Sequence, residues 1–437
     1  MALGASCGMP RPGCAQTNER AYESLEFRTV TPGARAVAMG KTFVGIADDA
    51  TAAASNPAGL SNLLDPEISI EWSATDNRHT RIVSSDILST QTFAQTVAYP
   101  SFASIASPLP DVHGLGNVTV AAFYNSLQRY REQYLIPNND LSGRPNLQGG
   151  FYGSLDIGAE AYGFGGSVLV SRTLSIGGAL TVQHLSFDVD SNSSEGFSPP
   201  GQVIFRSGTT TNDSDTAISG QLGVLFKPLA WLALGAAVNP GTTFHLTTTI
   251  HGTFTSDGPG ARTADVSAFK NPVQPIDYRI PTRYTIGASA RPTANLTLVG
   301  DVGWVKYSQR VTSNFLIVDQ LAKTIEALSP DWYYVDDAIE WHTGAEYRLL
   351  RGGHTIAFRA GLFTDPDHQM RFDSGSVQND VTAGQARQFD RYFPGTVIGV
   401  TGGGGVVLKN RVQIDGAVSW SANERQVVVS SVIRFPR

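Results

Sequence analysis

The stretch Pro32–Leu63, PGARAVAMGKTFVGIADDATAAASNPAGLSNL, differs from everything that follows it in the chain. Ala34, Ala38 and Gly40, with Val37, suit a short helix that packs closely. Asp48 and Asp49 precede a second, Ala-rich turn, where acidic side chains favour a helix N-terminus. Pro57 biases Asn56 away from the helical region, so that helix is expected to stop there. Gly59 then lets the chain turn again. A segment this short cannot bury a core by itself and needs an external wall.

The remainder of the chain supplies one. Of 437 residues only 16% are charged and 45 are glycine. No apolar run approaches the roughly 20 residues that a transmembrane helix needs. Low charge, much glycine and many short alternating runs suit an all-β chain, and one class of these is the membrane barrel. Period-two alternation with turn punctuation predicts about fourteen strands. They lie near 67–75, 101–108, 116–134, 152–171, 174–190, 215–227, 229–250, 278–291, 294–311, 338–349, 354–364, 395–408, 411–421 and 425–435.

The connections alternate in length. Short ones fall at 171–173, 227–229, 291–295, 351–353 and 409–410. Long ones are expected near 76–100, 135–151, 191–214, 251–277, 312–337 and 365–394. Short turns on one side and long loops on the other is the layout of outer-membrane barrels, although the short last connection, 421–426, breaks the pattern mildly. A soluble sandwich has no reason to sort its loops this way.

Alternation also assigns faces. In 338–349, Trp341, Thr343, Ala345, Tyr347 and Leu349 share one face, and Glu340, His342, Glu346 and Arg348 the other. A cation near a bilayer midplane costs about 2–4 kcal/mol, so the charged face must look inward. The same logic turns Arg283, Asp301, Arg359 and Asp415 into the lumen. The interior is therefore polar and carries both signs of charge. The last strand alternates through Val427, Val429, Ser431 and Ile433 to Phe435.

The chemistry that the sequence does not support is equally informative. A net charge of -6 gives no reason to expect nucleic acid as a partner. The two cysteines, Cys7 and Cys14, precede the organised region, so neither a disulfide scaffold nor a Cys-based zinc site is expected in the body. Gly13-Cys14 follows Pro10, Arg11 and Pro12 and lacks the apolar run of a lipoprotein signal. Residues 1–18 are expected to be a processed or disordered leader, 19–63 a hatch with Phe27 and Val30 as anchors, and 64–437 the barrel. Gly402–Gly405 lacks the Lys-Ser/Thr ending of a phosphate loop and falls inside a strand. Asn212, Asp213 and Asp215 lack calcium-loop spacing. No nucleophile–base pair or metal-ligand cluster stands out, so no enzyme, cofactor or metal is expected.

Gly33-Ala34-Arg35-Ala36, Met39-Gly40, Phe43, Ala47-Asp48-Asp49-Ala50 and Asn56-Pro57-Ala58-Gly59-Leu60, followed by about fourteen strands, resemble the FadL/TodX family of outer-membrane transporters for long-chain fatty acids and other hydrophobic compounds. The Asn-Pro-Ala element after an acidic, Ala-rich turn is that family's hatch signature. The wording is also similar to a PorV-like branch, whose members serve a secretion system as barrel partners. The resemblance implies a bacterial outer-membrane barrel of fourteen antiparallel strands with the hatch in its lumen. It also implies a hydrophobic ligand that lands among extracellular loops, moves to a pocket inside and leaves sideways when the hatch shifts, through the wall beside a kinked strand. Expected partners are membrane lipid, hydrophobic small molecules and, through extracellular loops, another protein.

Two readings stand for each candidate site. Asn56, Pro57, Ala58 and Gly59 either gate a lateral exit or lock the hatch to the wall. Arg283, Arg348 and Arg359 either hold a ligand carboxylate or pair with Asp301, Glu340, Glu346, Asp415, Asp48 and Asp49. Phe315, Leu316, Ile317 and Leu321 begin an amphipathic pattern that suits either a landing groove or packing among loops. Trp332, Tyr333 and Tyr334 suit interfacial anchors. Three functions compete: hydrophobic uptake, a structural or partner-binding barrel, and an open porin.

Overall fold

Burial along the strands follows the expected period of two. In 338–349 the alternation puts Glu340, His342 and Glu346 inside and leaves Trp341, Thr343, Tyr347 and Leu349 outside. The computed structural model describes residues 27, 29–84, 89–110, 117–138, 147–197, 203–256, 263–265, 273–315, 330–377, 386, 389 and 395–436. Fourteen antiparallel strands close into a barrel. They are β1 (Glu67–Ser84), β2 (Ser89–Pro108), β3 (Val118–Asn138), β4 (Leu147–Ser171), β5 (Leu174–Phe197) and β6 (Val203–Leu229). Next come β7 in two pieces (Leu232–Asn239 and Thr242–Ser256) and β8 in two pieces (Val273–Ile280 and Arg283–Ala290). The last six are β9 (Leu296–Val305), β10 (Ala338–Arg351), β11 (His354–Asp365), β12 (Val397–Leu408), β13 (Val412–Trp420) and β14 (Glu424–Arg434). β14 pairs with β1 from Glu67↔Arg434 to Asn77↔Glu424, which closes the sheet.

Several sequence expectations need correction. The run 229–250 is not one strand: it breaks at Pro240–Gly241, and 278–291 breaks beside Pro281. Proline has no N–H to give to a ladder, so each break falls where a donor is missing. The run 294–311 ends at Val305 and continues as a 3-10 turn at Tyr307–Arg310. The turn after β6 lies past Leu229, not at 227–229. Much of 76–100, 135–151, 191–214 and 251–277 is strand and not loop. These hairpins rise past the outward apolar band, where side chains no longer need to alternate between lipid and lumen. The expected helix after Phe315 lies outside the described residues.

The outer face suits lipid. Leu180, Ile218, Leu222, Ile286, Phe358 and Ile398 are exposed apolar side chains. Tyr284 and Trp304 pack with tilted rings at 5.7 Å, Lys306 Nζ lies 4.2 Å over the Trp304 ring, and Arg425 lies 4.4 Å over Trp420 beside the short β13–β14 turn. Amphipathic rings with cations above them are the arrangement of a membrane interface. Among the described residues no helix is long and apolar enough to cross a membrane.

Inside, the N-terminal segment fills the lower lumen. It forms α1 (Ala34–Ala38), α2 (Ala52–Ser55) and a 3-10 turn (Pro57–Asn62). α1 starts after Gly33, whose φ is 97°, and ends before Gly40 at φ 76°, both in the left-handed region that glycine tolerates. The alanines that looked like helix formers also let backbone meet wall. A side chain at Gly361 would collide with the Gly40 backbone, at Gly235 with Val44, and at Gly177 with Ala58. The inward glycines thus make a smooth seat for the plug. Gly361→Ala is expected to lower the melting temperature of the folded barrel, read as loss of the fast-migrating band in unboiled gel samples. Overpacking costs typically about 1–3 kcal/mol. Gly416→Ala, where a Cβ meets nothing within 4 Å, should leave the melting temperature unchanged.

Candidate functional site

The lumen has a polar lower zone and an apolar upper zone. In the lower zone Arg35 Nε and Nη2 donate to Glu346 at 2.9 and 3.1 Å, and Nη1 donates to Asp48 at 2.5 Å. Arg359 Nε donates to the same Glu346 at 2.7 Å, and its Nη1 to Asp415 at 2.7 Å. Glu346 is therefore shared between a hatch arginine and a wall arginine. Burial works against the Arg35 charge, but Asp48 and Glu346 overcome it and hold its pKa above the ordinary value. Burial pushes the Asp49 carboxyl up, opposed by Arg35.

The hatch backbone is also satisfied by the wall. Asp301 accepts from the N–H groups of Phe43 and Val44 at 2.8 and 3.0 Å. Thr401 Oγ1 accepts from Gly40 N at 2.9 Å and donates to Ala38 O at 3.0 Å. His342 Nδ1 lies 2.8 Å from Gly40 O, and Lys41 Nζ donates to Glu424 at 2.8 Å. An irregular loop inside a barrel needs such partners, because unpaired buried backbone groups are costly.

The candidate residues fall into this scheme as follows. Asn56 Nδ2 donates to Val44 O at 2.9 Å and to Val224 O at 3.1 Å, and its Oδ1 accepts from Ala58 N. Pro57, Ala58 and Gly59 are buried, and a Cβ at Gly177 would strike the Pro57–Ala58 backbone. The motif thus rests on the β5–β6 wall. Arg359 sits in the ion-pair chain. Arg283 donates to Glu340 at 2.5 Å, and Arg348 lies 3.7 Å from Glu346 with a third of its side chain exposed. Phe315 is buried and packs edge-on against Tyr333 at 5.9 Å. Leu316, Ile317 and Leu321 lie outside the described residues. Tyr333 is buried with Phe372 and Phe389, so only Tyr334 keeps the exposure expected of an anchor.

The upper zone is aromatic. Tyr134, Phe187, Phe244, Tyr278, Phe315 and Phe372 belong to one buried cluster, which Phe27 joins from the N-terminal side. At its edge a cavity of about 20 Å³ is lined by Tyr278, Val311, Phe315, Val335 and Met370, with Arg279 and Arg310 beside them. Two further cavities, about 20 and 40 Å³, lie on either side of Thr29, Thr31, Lys41 and Glu424, which line both.

The wall is not zipped throughout. β2 and β3 pair only from Phe102↔Asn125 to Pro108↔Thr119. Beyond that β2 stays with β1 and β3 with β4, so the wall forks. Three features cause it. Pro100 lacks an N–H, Ser101 is bulged out of the β1–β2 register, and Leu127 is bulged out of the β3–β4 register. The N-terminal segment fills the fork: Val30 N donates to Leu127 O at 3.1 Å, and Val30 packs with Val97 and Tyr99. Sequence reading had Val30 as an anchor but not the fork. The signal was Pro100 inside an otherwise alternating run.

No protein-family model and no curated protein sequence matches the chain. Solved structures match its fold. A FadL homologue of Pseudomonas aeruginosa shares 14% identity at a TM-score of 0.61, with 94% of this chain and 99% of that one covered. The Pseudomonas putida toluene transporter TodX shares 16% at 0.58 (95% and 100% covered). The Ralstonia pickettii toluene transporter TbuX shares 15% at 0.58 (95% and 99% covered). The fold resemblance read from Pro32–Leu63 and the strands is thus present in the structure.

Removing Glu346 tests the anchoring. Glu346→Gln leaves Arg35 and Arg359 short of a counter-charge, and breaking a buried pair costs roughly 3–5 kcal/mol. Protease cleavage within residues 33–63 should appear in this variant under conditions that spare the parent.

Proposed function

We propose that the protein is a passive outer-membrane transporter of hydrophobic, fatty-acid-like molecules. A ligand lands at the long-hairpin end, passes to the aromatic upper lumen and leaves sideways through the β2–β3 fork. The observation that carries this reading is a buried aromatic cluster above a plug, with an unzipped wall beside it. An apolar ligand gains nothing from a wet continuous channel, and a lateral route keeps it out of water. The toluene transporters of similar fold support hydrophobic cargo in general. Phe315, at the cavity edge, is a ligand contact in this reading, with Leu316, Ile317 and Leu321 following it in the landing groove.

The moving part is the Thr29–Thr31 strap with the Lys41–Glu424 pair, which separates the two cavities and fills the fork. Asn56–Gly59 is the fixed end of the hatch, seated on β5 and β6. Arg283 and Arg359 serve the plug and not a ligand carboxylate, since their charges are already met by Glu340, Glu346 and Asp415.

The test uses Val30→Cys with Leu127→Cys in a background lacking Cys7 and Cys14. Cells taking up radiolabelled oleate should lose transport at least tenfold on oxidation and regain it on reduction. Unchanged uptake in the oxidised protein would refute the strap as gate. No uptake by the parent, together with co-purification of another protein after gentle solubilisation, would favour the partner-binding barrel instead. Planar-bilayer conductance should be far below that of a porin, because the hatch occupies the lumen.

A further inference from the structure

The barrel wall has a second interruption, four strands along from the fork. The β6–β7 ladder stops at Thr210↔Thr249 and resumes only at Leu222↔Val238. The segment Thr211–Gln221 therefore has no backbone ladder on that edge, although it remains paired with β5. Unlike the fork, this opening is closed above and below. Its lower corner is the Pro240–Gly241 break in β7, beside the Pro281 break in β8.

Side chains bridge it in place of backbone. Asp215 Oδ2 accepts from His245 N at 2.8 Å, and Asp213 Oδ2 accepts from Thr247 N at 2.8 Å and from Thr247 Oγ1 at 2.9 Å. Thr211 Oγ1 donates to Thr248 Oγ1 at 2.8 Å, and Ser219 Oγ to Pro240 O at 3.3 Å. Each carboxylate is inserted between the strands and holds them one side chain apart. At the lower corner Asn239 Oδ1 and Thr242 Oγ1 are buried with no hydrogen-bond partner, so that corner is held less firmly by polar contacts.

What lies on each side gives the seam a use. Within, Phe244 and Leu246 belong to the aromatic cluster of the upper lumen, and Ala217 and Ile280 pack against it. Outside, Ile218 and Leu222 are 78% and 64% exposed. One step higher the outward residues turn polar, at Thr216 and at His184 opposite it. The seam therefore lies between the aromatic cluster and the level where the outer face turns polar.

We infer that the β6–β7 seam is a second lateral port of the barrel, passing small uncharged apolar molecules between the aromatic cluster of the upper lumen and the outer leaflet. It rests on the transport reading above, and deepens it by adding a route and a charge preference. Asp213 and Asp215 line the rim, with Asp277 beyond, held 2.7 Å from His245 Nδ1. Three carboxylates turn away anionic amphiphiles, which leaves ionised fatty acids to the fork and admits neutral hydrocarbons here. Opening needs only side-chain bonds to exchange for water, with no ladder to unzip.

The experiment joins Asp213→Cys to Thr247→Cys with a short bis-maleimide, in a background lacking Cys7 and Cys14, with and without the Val30–Leu127 disulfide. Uptake of toluene and of oleate is measured in each. Folding is checked by the unboiled gel band, and the unlinked double variant is the control. With the fork shut, linking the seam should reduce residual toluene uptake at least fivefold, while oleate stays at background throughout. Asp213→Asn with Asp215→Asn should raise oleate uptake through the fork-shut protein. Toluene uptake that ignores the seam link would overturn the second port while leaving the transport reading intact. A parent that takes up neither compound would overturn the transport reading itself.

Discussion

One buried carboxylate ties the two parts of the molecule together. Glu346 projects from β10 and is met by Arg35 from the hatch and Arg359 from β11. Taken from water alone, each charge would suffer a desolvation cost of several kcal/mol. Together with Asp48 and Asp415 they solvate one another. Such a chain is weak evidence for net stability, since apolar replacements are often as stable. Its effect is positional: Arg35 meets two carboxylate oxygens only when α1 lies in one register against β10–β13. Arg283–Glu340 and Asp301 fix neighbouring points in the same way.

The division of the lumen follows from what a plug made of loop requires. Between Met39 and Ala47 the hatch has little helix, so its N–H and C=O groups must find wall partners. Asp301, Thr401 and His342 provide them, Asn56 adds one from within the hatch, and the inward glycines let the backbones come close. Above the hatch buried apolar side chains from wall and loops fill the space instead. There the interior is aromatic. Polar contacts thus mark where the plug must stay, and apolar ones where something else can replace a side chain.

Much of this was legible in the sequence. All fourteen expected strands have a counterpart, and Glu340, Glu346, Arg359, Asp301 and Asp415 point inward as alternation required. What was missed shares a cause: local pattern does not report pairing. Val238 and Thr243 continue an acceptable strand across Pro240, so the run read as continuous. The segments 191–197 and 203–214 read as loop because Ser, Thr and Asp dominate, yet ladder bonds need no apolar side chain once the hairpin rises beyond the outward apolar band. The inward glycines had a signal that went unused. Gly344 lies between His342 and Glu346, and Gly361 between Arg359 and Phe363, at positions that charged side chains had already marked as interior. Which hatch atom each would meet depends on contacts hundreds of residues apart.

The glycine seat has a consequence for how the molecule comes to exist. Hatch backbone lies against strands from β5 to β12, in places closer than a methyl group would permit. A plug so fitted cannot be threaded into a finished cylinder. It has to be enclosed while the sheet is still open, before β14 reaches β1. A hatch in place at that stage would give the strands it touches a curved surface to wrap. Closure joins residues at opposite ends of the chain, the slowest kind of contact to form. A template that holds the intermediate strands in place shortens that search.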